Sequence, residues 1–180
     1  MNFINITEQV LLLFRQENIH FALIGGYAVG LWGVSRSTVD MDFLIRRDDL
    51  DKLDRIMAAM GYDLRFRSEN VSHFSAETAA CGEMDFLHAF RPHSLEMLGR
   101  AVDRKIFGGK LRVKTLIPED LIGLKIQAIA NDPRREKWDL SDIEALLKIY
   151  CRELDWSLVG EYFAIFDQTP LFKQLRERYV

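Results

Sequence analysis

A chain of 180 residues, 48% hydrophobic and 28% charged, has the composition of a globular protein. At this length about 70% of the unfolded surface can be buried, so folding needs neither disulfides nor a structural metal. A net charge of −3 argues against a dedicated nucleic-acid coat but leaves room for a local basic patch. The two cysteines, Cys81 and Cys151, form no CxxC, which points to a reducing, cytoplasmic setting. The N-terminus lacks a secretory pattern, and no apolar run approaches ~18 residues, so neither export nor a membrane span is expected.

Residues 6–17 place Val10, Leu11, Leu13 and Phe14 at helical spacing. Residues 20–24 read as a short strand, ended by Gly25-Gly26, and residues 27–32 as a helix starting on the glycines. Residues 39–45 alternate Val39, Met41 and Phe43 with Asp40 and Asp42, which predicts a strand with one apolar and one acidic face. Asp48 or Asp49 is expected to cap a helix that carries Leu50, Leu53, Ile56, Met57 and Met60 and stops at Gly61. Weaker strand signals cover 62–67 and 71–76, and alternation returns at 83–88, where Asp85 stands between Met84 and Phe86. Residues 105–113 predict a hairpin on a Gly108-Gly109 turn. From Pro118 onward four helices are predicted, over 118–131, 139–150, 156–166 and 170–178. The sum is an α+β protein: a mixed sheet packed with helices over 1–116, then a helical segment over 117–180.

The chemistry concentrates in two places. Paired glycines between a strand and a helix let backbone N–H groups approach a phosphate, although, taken alone, a plain tight turn accounts for them better. The fingerprint G-x-G-x-x-G is absent, since the run reads Gly-Gly-Tyr-Ala-Val-Gly, and Gly109-Lys110 is followed by Leu111 rather than Ser or Thr. Asp40 and Asp42, at i and i+2 on a strand, lie about 7 Å apart on one face, a span that a hydrated Mg²⁺ can bridge. Two solvated acids are the plain alternative. Asp85, on a second strand with the same alternation, weighs against it, because three mutually repelling carboxylates on one sheet face suit divalent ions. The four histidines match no metal-ligand spacing, and His88, which follows Asp85, is the one expected near the site. Trp32, Trp138 and Trp156 are expected to pack rather than to stack on bases. The basic stretch from Arg100 to Lys114 reads as a lysine-guarded edge hairpin.

Gly-Gly, an apolar-Asp-apolar-Asp-apolar run whose first aspartate comes after thirteen intervening residues, and a later strand aspartate together resemble the polymerase-β-type nucleotidyltransferase superfamily. The form Ile-Gly-Gly-Tyr-Ala … Arg-Ser-Thr-Val-Asp-Met-Asp-Phe-Leu is most similar to the AbiEii-type and related minimal bacterial nucleotidyltransferases. Lys125, followed by Lys137-Trp138-Asp139-Leu140-Ser141-Asp142-Ile143, is similar to that group's Lys-Asp-x-x-Asp-Ile segment, with Trp138 inserted. The resemblance implies the nucleotidyltransferase fold and a Mg²⁺-dependent transfer of a nucleoside monophosphate from an NTP such as ATP to a hydroxyl acceptor. The acceptor class stays open among RNA, protein and small molecule.

The same resemblance implies roles for residues. Gly25 and Gly26 hold the phosphates, and Asp40, Asp42 and Asp85 are the catalytic, metal-binding carboxylates. Asp85 acts either as general base or as metal ligand. Arg36, Thr38 and Lys125 are candidate nucleotide contacts. A lysine placed like Lys125 otherwise snorkels to solvent, and Asp139 otherwise caps its helix. A toxin-like role with an antitoxin partner is a further implication. The alternative function is a catalytically silent nucleotide-binding or regulatory module on the same fold.

Overall fold

Two strands fix the sheet's polarity. β2 (Met41–Arg46) and β5 (Glu83–Ala89) run parallel with Asp42 opposite Asp85 and Phe43 opposite Phe86. Because side chains alternate along a strand, both aspartates fall on one face and both phenylalanines on the other. The Phe43 and Phe86 rings stack with centroids 5.5 Å apart. Phe14 of α1 (Phe3–Gln16) meets them edge-on, 5.8 Å from Phe43 and 6.1 Å from Phe86. All three rings are fully buried. Aromatic burial thus pins one face of the sheet under α1 and turns the acidic residues to the other face.

The computed structural model describes residues 3–35, 40–76 and 82–180. The remaining strands are β1 (Phe21–Ile24), β3 (Tyr62–Arg67), β4 (Val71–Ala76), β6 (Val102–Ile106) and β7 (Leu111–Thr115). They form a seven-stranded sheet in the order β3-β4-β5-β2-β1-β7-β6. β2 with β5 and β1 with β7 are parallel pairs, and the other four pairings are antiparallel. A parallel neighbour needs a crossover. Between β2 and β5 the chain therefore makes α3 (Leu50–Ala59) and the β3–β4 hairpin before returning. α2 (Gly25–Leu31) follows β1, and α4 (Pro92–Arg100) packs on β2 and β5.

The chain divides into two compact units: Met1–Ala28 with Ser37–Leu116, and Val29–Arg36 with Ile117–Val180. The first holds the sheet. The second is helical, with α5 (Pro118–Asn131), α6 (Glu136–Tyr150), α7 (Trp156–Ile165) and α8 (Thr169–Tyr179). Ile122, Ile126, Ile143, Leu146, Val159 and Phe163 are buried within it. α5 and α7 pack so closely that a Cβ at Gly123 would come within 2.6 Å of the Tyr162 ring. The Tyr162 hydroxyl donates to Asp120 at 2.6 Å. Trp32 packs edge-on to Tyr150 with centroids 5.5 Å apart.

Several sequence expectations are corrected. The acidic strand begins at Met41, so Asp40 lies just before it rather than on it. Asp49 makes no side-chain cap; its carboxylate instead accepts the His20 backbone N–H at 2.9 Å and pairs with Lys52 at 3.1 Å. The Gly108-Gly109 turn is a 3-10 turn, Phe107–Gly109, rather than a two-residue loop. α4, whose one buried residue is Met97, carries no sequence expectation. α6 begins three residues before Asp139, which places that aspartate inside the helix, not at its cap. Trp138 is 69% exposed rather than packed: Asp139 and Asp142 turn inward, and Trp138, one residue round the helix, turns out.

Candidate functional site

β1 leads straight into the glycine pair. Ile24, its last residue, lies opposite Asp42 across the antiparallel β1–β2 ladder, so Gly25 is delivered beside the Asp42 carboxylate. Gly25 has φ +66°, the left-handed region that favours glycine. A Cβ there would overlap the Asp42 Oδ2 and lie 2.6 Å from its Cγ. The glycine therefore serves the carboxylate: bare backbone is the only surface that fits against it.

Asp85 enters from the other side of β2. It is the in-register partner of Asp42, on an adjacent strand about 4.8 Å away. Both are half-buried, whereas Asp40 is exposed at the entry to β2. The structure thus brings Gly25, Asp42 and Asp85 together, with Asp40 two residues upstream along the chain. Arg36 and Thr38 lie outside the described residues. Among the described residues, no group of three or more His, Cys, Asp or Glu side chains is gathered to hold a metal ion. What is assembled is a pair of hard oxygen donors with glycine backbone against one of them, and that donor chemistry suits Mg²⁺.

The histidine beside the acids is His73, not His88. His73 of β4 is the register partner of Asp85, and its Nδ1–H donates to the Asp85 Oδ1 at 2.5 Å. This charge-assisted contact fixes one oxygen of the carboxylate and leaves the other for a ligand. His88 lies on the opposite, covered face. Its Nδ1 reaches the Glu69 carbonyl at 2.9 Å and its Nε2 the Ser72 hydroxyl at 2.8 Å. A carbonyl only accepts, so Nδ1 carries the proton and Nε2 accepts from Ser72. Burial holds the His88 ring below its usual range, keeping it neutral. Sequence reasoning missed His73 because strand pairing, not proximity along the chain, sets its neighbour. The signal available was the polar residue His73 in the alternation from Val71 to Phe74.

Lys125 belongs to the second unit. It is 8% exposed and does not snorkel. Its ammonium lies 2.7 Å from Asp139 and 2.6 Å from Asp142, and Arg135 holds the second Asp139 oxygen at 2.9 Å. Burial pushes the Asp139 carboxyl up, but Lys125 and Arg135 together outweigh it and hold the group below the usual carboxylate range. The spacing Lys125…Asp139…Asp142 is thus an internal ion cluster of the helical unit.

The same architecture occurs in solved structures. The antibiotic-resistance factor ANT(2'')-Ia matches over 100% of both chains with a TM-score of 0.68 at 16% identity. The fold is that of the nucleotidyltransferases. The lincosamide antibiotic adenylyltransferase LnuA, in its lincomycin-bound structure, matches 81% of this chain and 96% of its own, with a TM-score of 0.57 at 15% identity. An antigenic nucleotidyltransferase-like protein from Paracoccidioides brasiliensis matches 97% and 93%, with a TM-score of 0.56 at 16% identity. No protein-family model matches the sequence, and no curated protein matches it by sequence. On the nucleotidyltransferase fold seen here, the acids and glycines sit where β1 ends and β2 and β5 begin. Among the described residues, no helix is long and apolar enough to cross a membrane.

Proposed function

We propose that this protein is a Mg²⁺-dependent nucleotidyltransferase that moves a nucleoside monophosphate from an NTP to a hydroxyl acceptor. The observation that carries this reading is the in-register Asp42–Asp85 pair with the Gly25 backbone pressed against Asp42. Asp42, with Asp40 upstream, would hold Mg²⁺; when bound, the ion neutralises triphosphate charge and stabilises the leaving group. Gly25 and Gly26 present bare backbone to the phosphates. The acceptor oxygen bonds to the α-phosphorus, the bond from that phosphorus to the bridging oxygen breaks, and pyrophosphate leaves. The acceptor proton passes to the Asp85 oxygen that His73 does not occupy, and from there to solvent. Most of the acceleration comes from positioning and electrostatics, which this rigid strand pair supplies.

One neighbour is by name an antibiotic-resistance factor and another a lincosamide antibiotic adenylyltransferase, which supports a small-molecule acceptor among the three classes. A toxin-like role with an antitoxin partner rests on the AbiEii resemblance alone. The test is labelled NTP with Mg²⁺ against small-molecule, RNA and protein fractions, in wild type and in the D40N/D42N double variant. Loss of transfer in the variant is expected, and undiminished transfer sinks the mechanism. Calorimetry with Mg²⁺–NTP separates this reading from a silent module: tight binding without transfer to any fraction would favour the module.

A further inference from the structure

Phe66 is a large apolar side chain, 53% exposed, on β3 at the edge of the sheet. Its direction is set by an irregularity. The β3–β4 register slips between Leu64 and Phe66, so Phe66 comes opposite His73 instead of Ser72. In a regular ladder Arg65 would oppose His73, and Phe66 would turn to the covered face. The bulge re-aims the ring onto the acidic face. His73 in turn opposes Asp85, and Asp85 opposes Asp42. Phe66, His73, Asp85 and Asp42 therefore stand in one row across four adjacent strands. The Phe66 and His73 rings lie 5.5 Å apart at a tilt of 34°. An exposed aromatic on an edge strand is a liability for aggregation, and the bulge puts it beside the carboxylate expected to receive the acceptor's proton.

The surrounding charge selects among acceptors. Asp40, Asp42, Asp63, Glu83 and Asp85 are the acids at this end of the face. Among the described residues the guanidinium beside Phe66, that of Arg65, is already paired. Arg65 is 3.2 Å from Asp63 and donates to the Ser75 hydroxyl at 2.7 Å, and His73 is held by Asp85. A phosphodiester here would meet this acidic surface with, among the described residues, no unpaired guanidinium beside Phe66 to receive it. A ring without phosphate would instead lay its apolar face on the Phe66 ring.

We propose that Phe66 is the acceptor-specificity residue: it stacks a phosphate-free, ring-bearing alcohol and so aims a hydroxyl at Asp85. The proposal rests on the nucleotidyl-transfer reading of the Asp42–Asp85 site. His73 is the positioning residue that keeps the Asp85 carboxylate turned for that hydroxyl.

The test titrates the intact protein with three probes: glucosamine disaccharide, hexauridylate and Mg²⁺–ATP. Wild type, F66A and F66Y are compared, with sedimentation to record the oligomeric state. Binding of the disaccharide is expected to weaken about tenfold in F66A, the loss of one stacked ring, and to be retained in F66Y, with ATP affinity unchanged in both. Equal disaccharide affinity in F66A, no disaccharide binding to wild type, or a loss in F66A confined to hexauridylate overturns the platform while ATP still binds. A change of oligomeric state in F66A that accounts for the weakened binding also overturns it. Failure of Mg²⁺–ATP to bind wild type overturns the transfer reading beneath it.

Discussion

Replacing Gly25 by Ala perturbs the site at its tightest point. Two effects combine. An L residue at φ +66° costs about 1–2 kcal/mol for the left-handed backbone. The new Cβ would also stand 2.6 Å from the Asp42 Cγ and 2.8 Å from its Cβ, so Asp42 must leave its rotamer or β2 must shift, at about a further 1 kcal/mol. Gly61 separates these effects. It has φ +80° and nothing within 4 Å of a built Cβ, so G61A incurs the backbone strain alone. Urea unfolding is expected to show G25A destabilised by about 2–3 kcal/mol against about 1–2 kcal/mol for G61A. Turnover, read as pyrophosphate release, is expected to fall at least about 100-fold in G25A through misplacement of Asp42, and to stay near wild type in G61A. Wild-type turnover in G25A, or identical behaviour of the two variants in both assays, would refute the claim that Gly25 exists to admit the Asp42 carboxylate.

Other expectations follow from particular contacts. Lys125→Met leaves Asp139 and Asp142 buried without the ammonium they share, which is expected to destabilise the protein by about 3 kcal/mol, read from the urea midpoint. A midpoint within error of wild type would show the cluster to be dispensable. Burial depresses the His88 ring, so the unfolded chain binds the extra proton first as pH falls. Stability is full above about pH 6.5 and declines as pH drops through that value; urea midpoints at pH 8, 6 and 5 should descend, and a His88→Gln variant should show a flatter profile. Asp139 has the carboxylate sign: held below its usual range, it contributes stability above about pH 4 that is lost as pH falls through its folded value. An Asp139→Asn variant should therefore lose less than wild type between pH 5 and pH 3. Finally, His73→Gln keeps a donor for Asp85 but removes the ring. It is expected to lower kcat while leaving Mg²⁺–ATP affinity unchanged, and a purely structural loss would instead reduce both together.

Period-two alternation made Asp42 and Asp85 legible as strand acids, because a strand's two faces are written into its own residues. The helices α5 to α8 were legible for the same local reason. α4, with Met97 as its one buried residue, carried no expectation, whereas α8, with Leu175 alone buried, did. Lys125, Asp139 and Asp142 were recognisable as a spacing, but their mutual pairing depends on α5 meeting α6. Asp139 looked like a cap only because nothing local showed that the helix had already begun at Glu136.

The sequence by itself determined which residues bear carboxylates, where glycine interrupts β1 and α2, and which faces of the strands are apolar. Tertiary structure decided which of these meet. Strand order and register are non-local, so only the assembled sheet could set Asp85 opposite Asp42, His73 opposite Asp85, and Gly25 against the Asp42 carboxylate. The bulge that brings Phe66 to His73 is a one-residue slip between neighbouring strands. Such a slip reverses the face a side chain shows while leaving the sequence pattern unchanged.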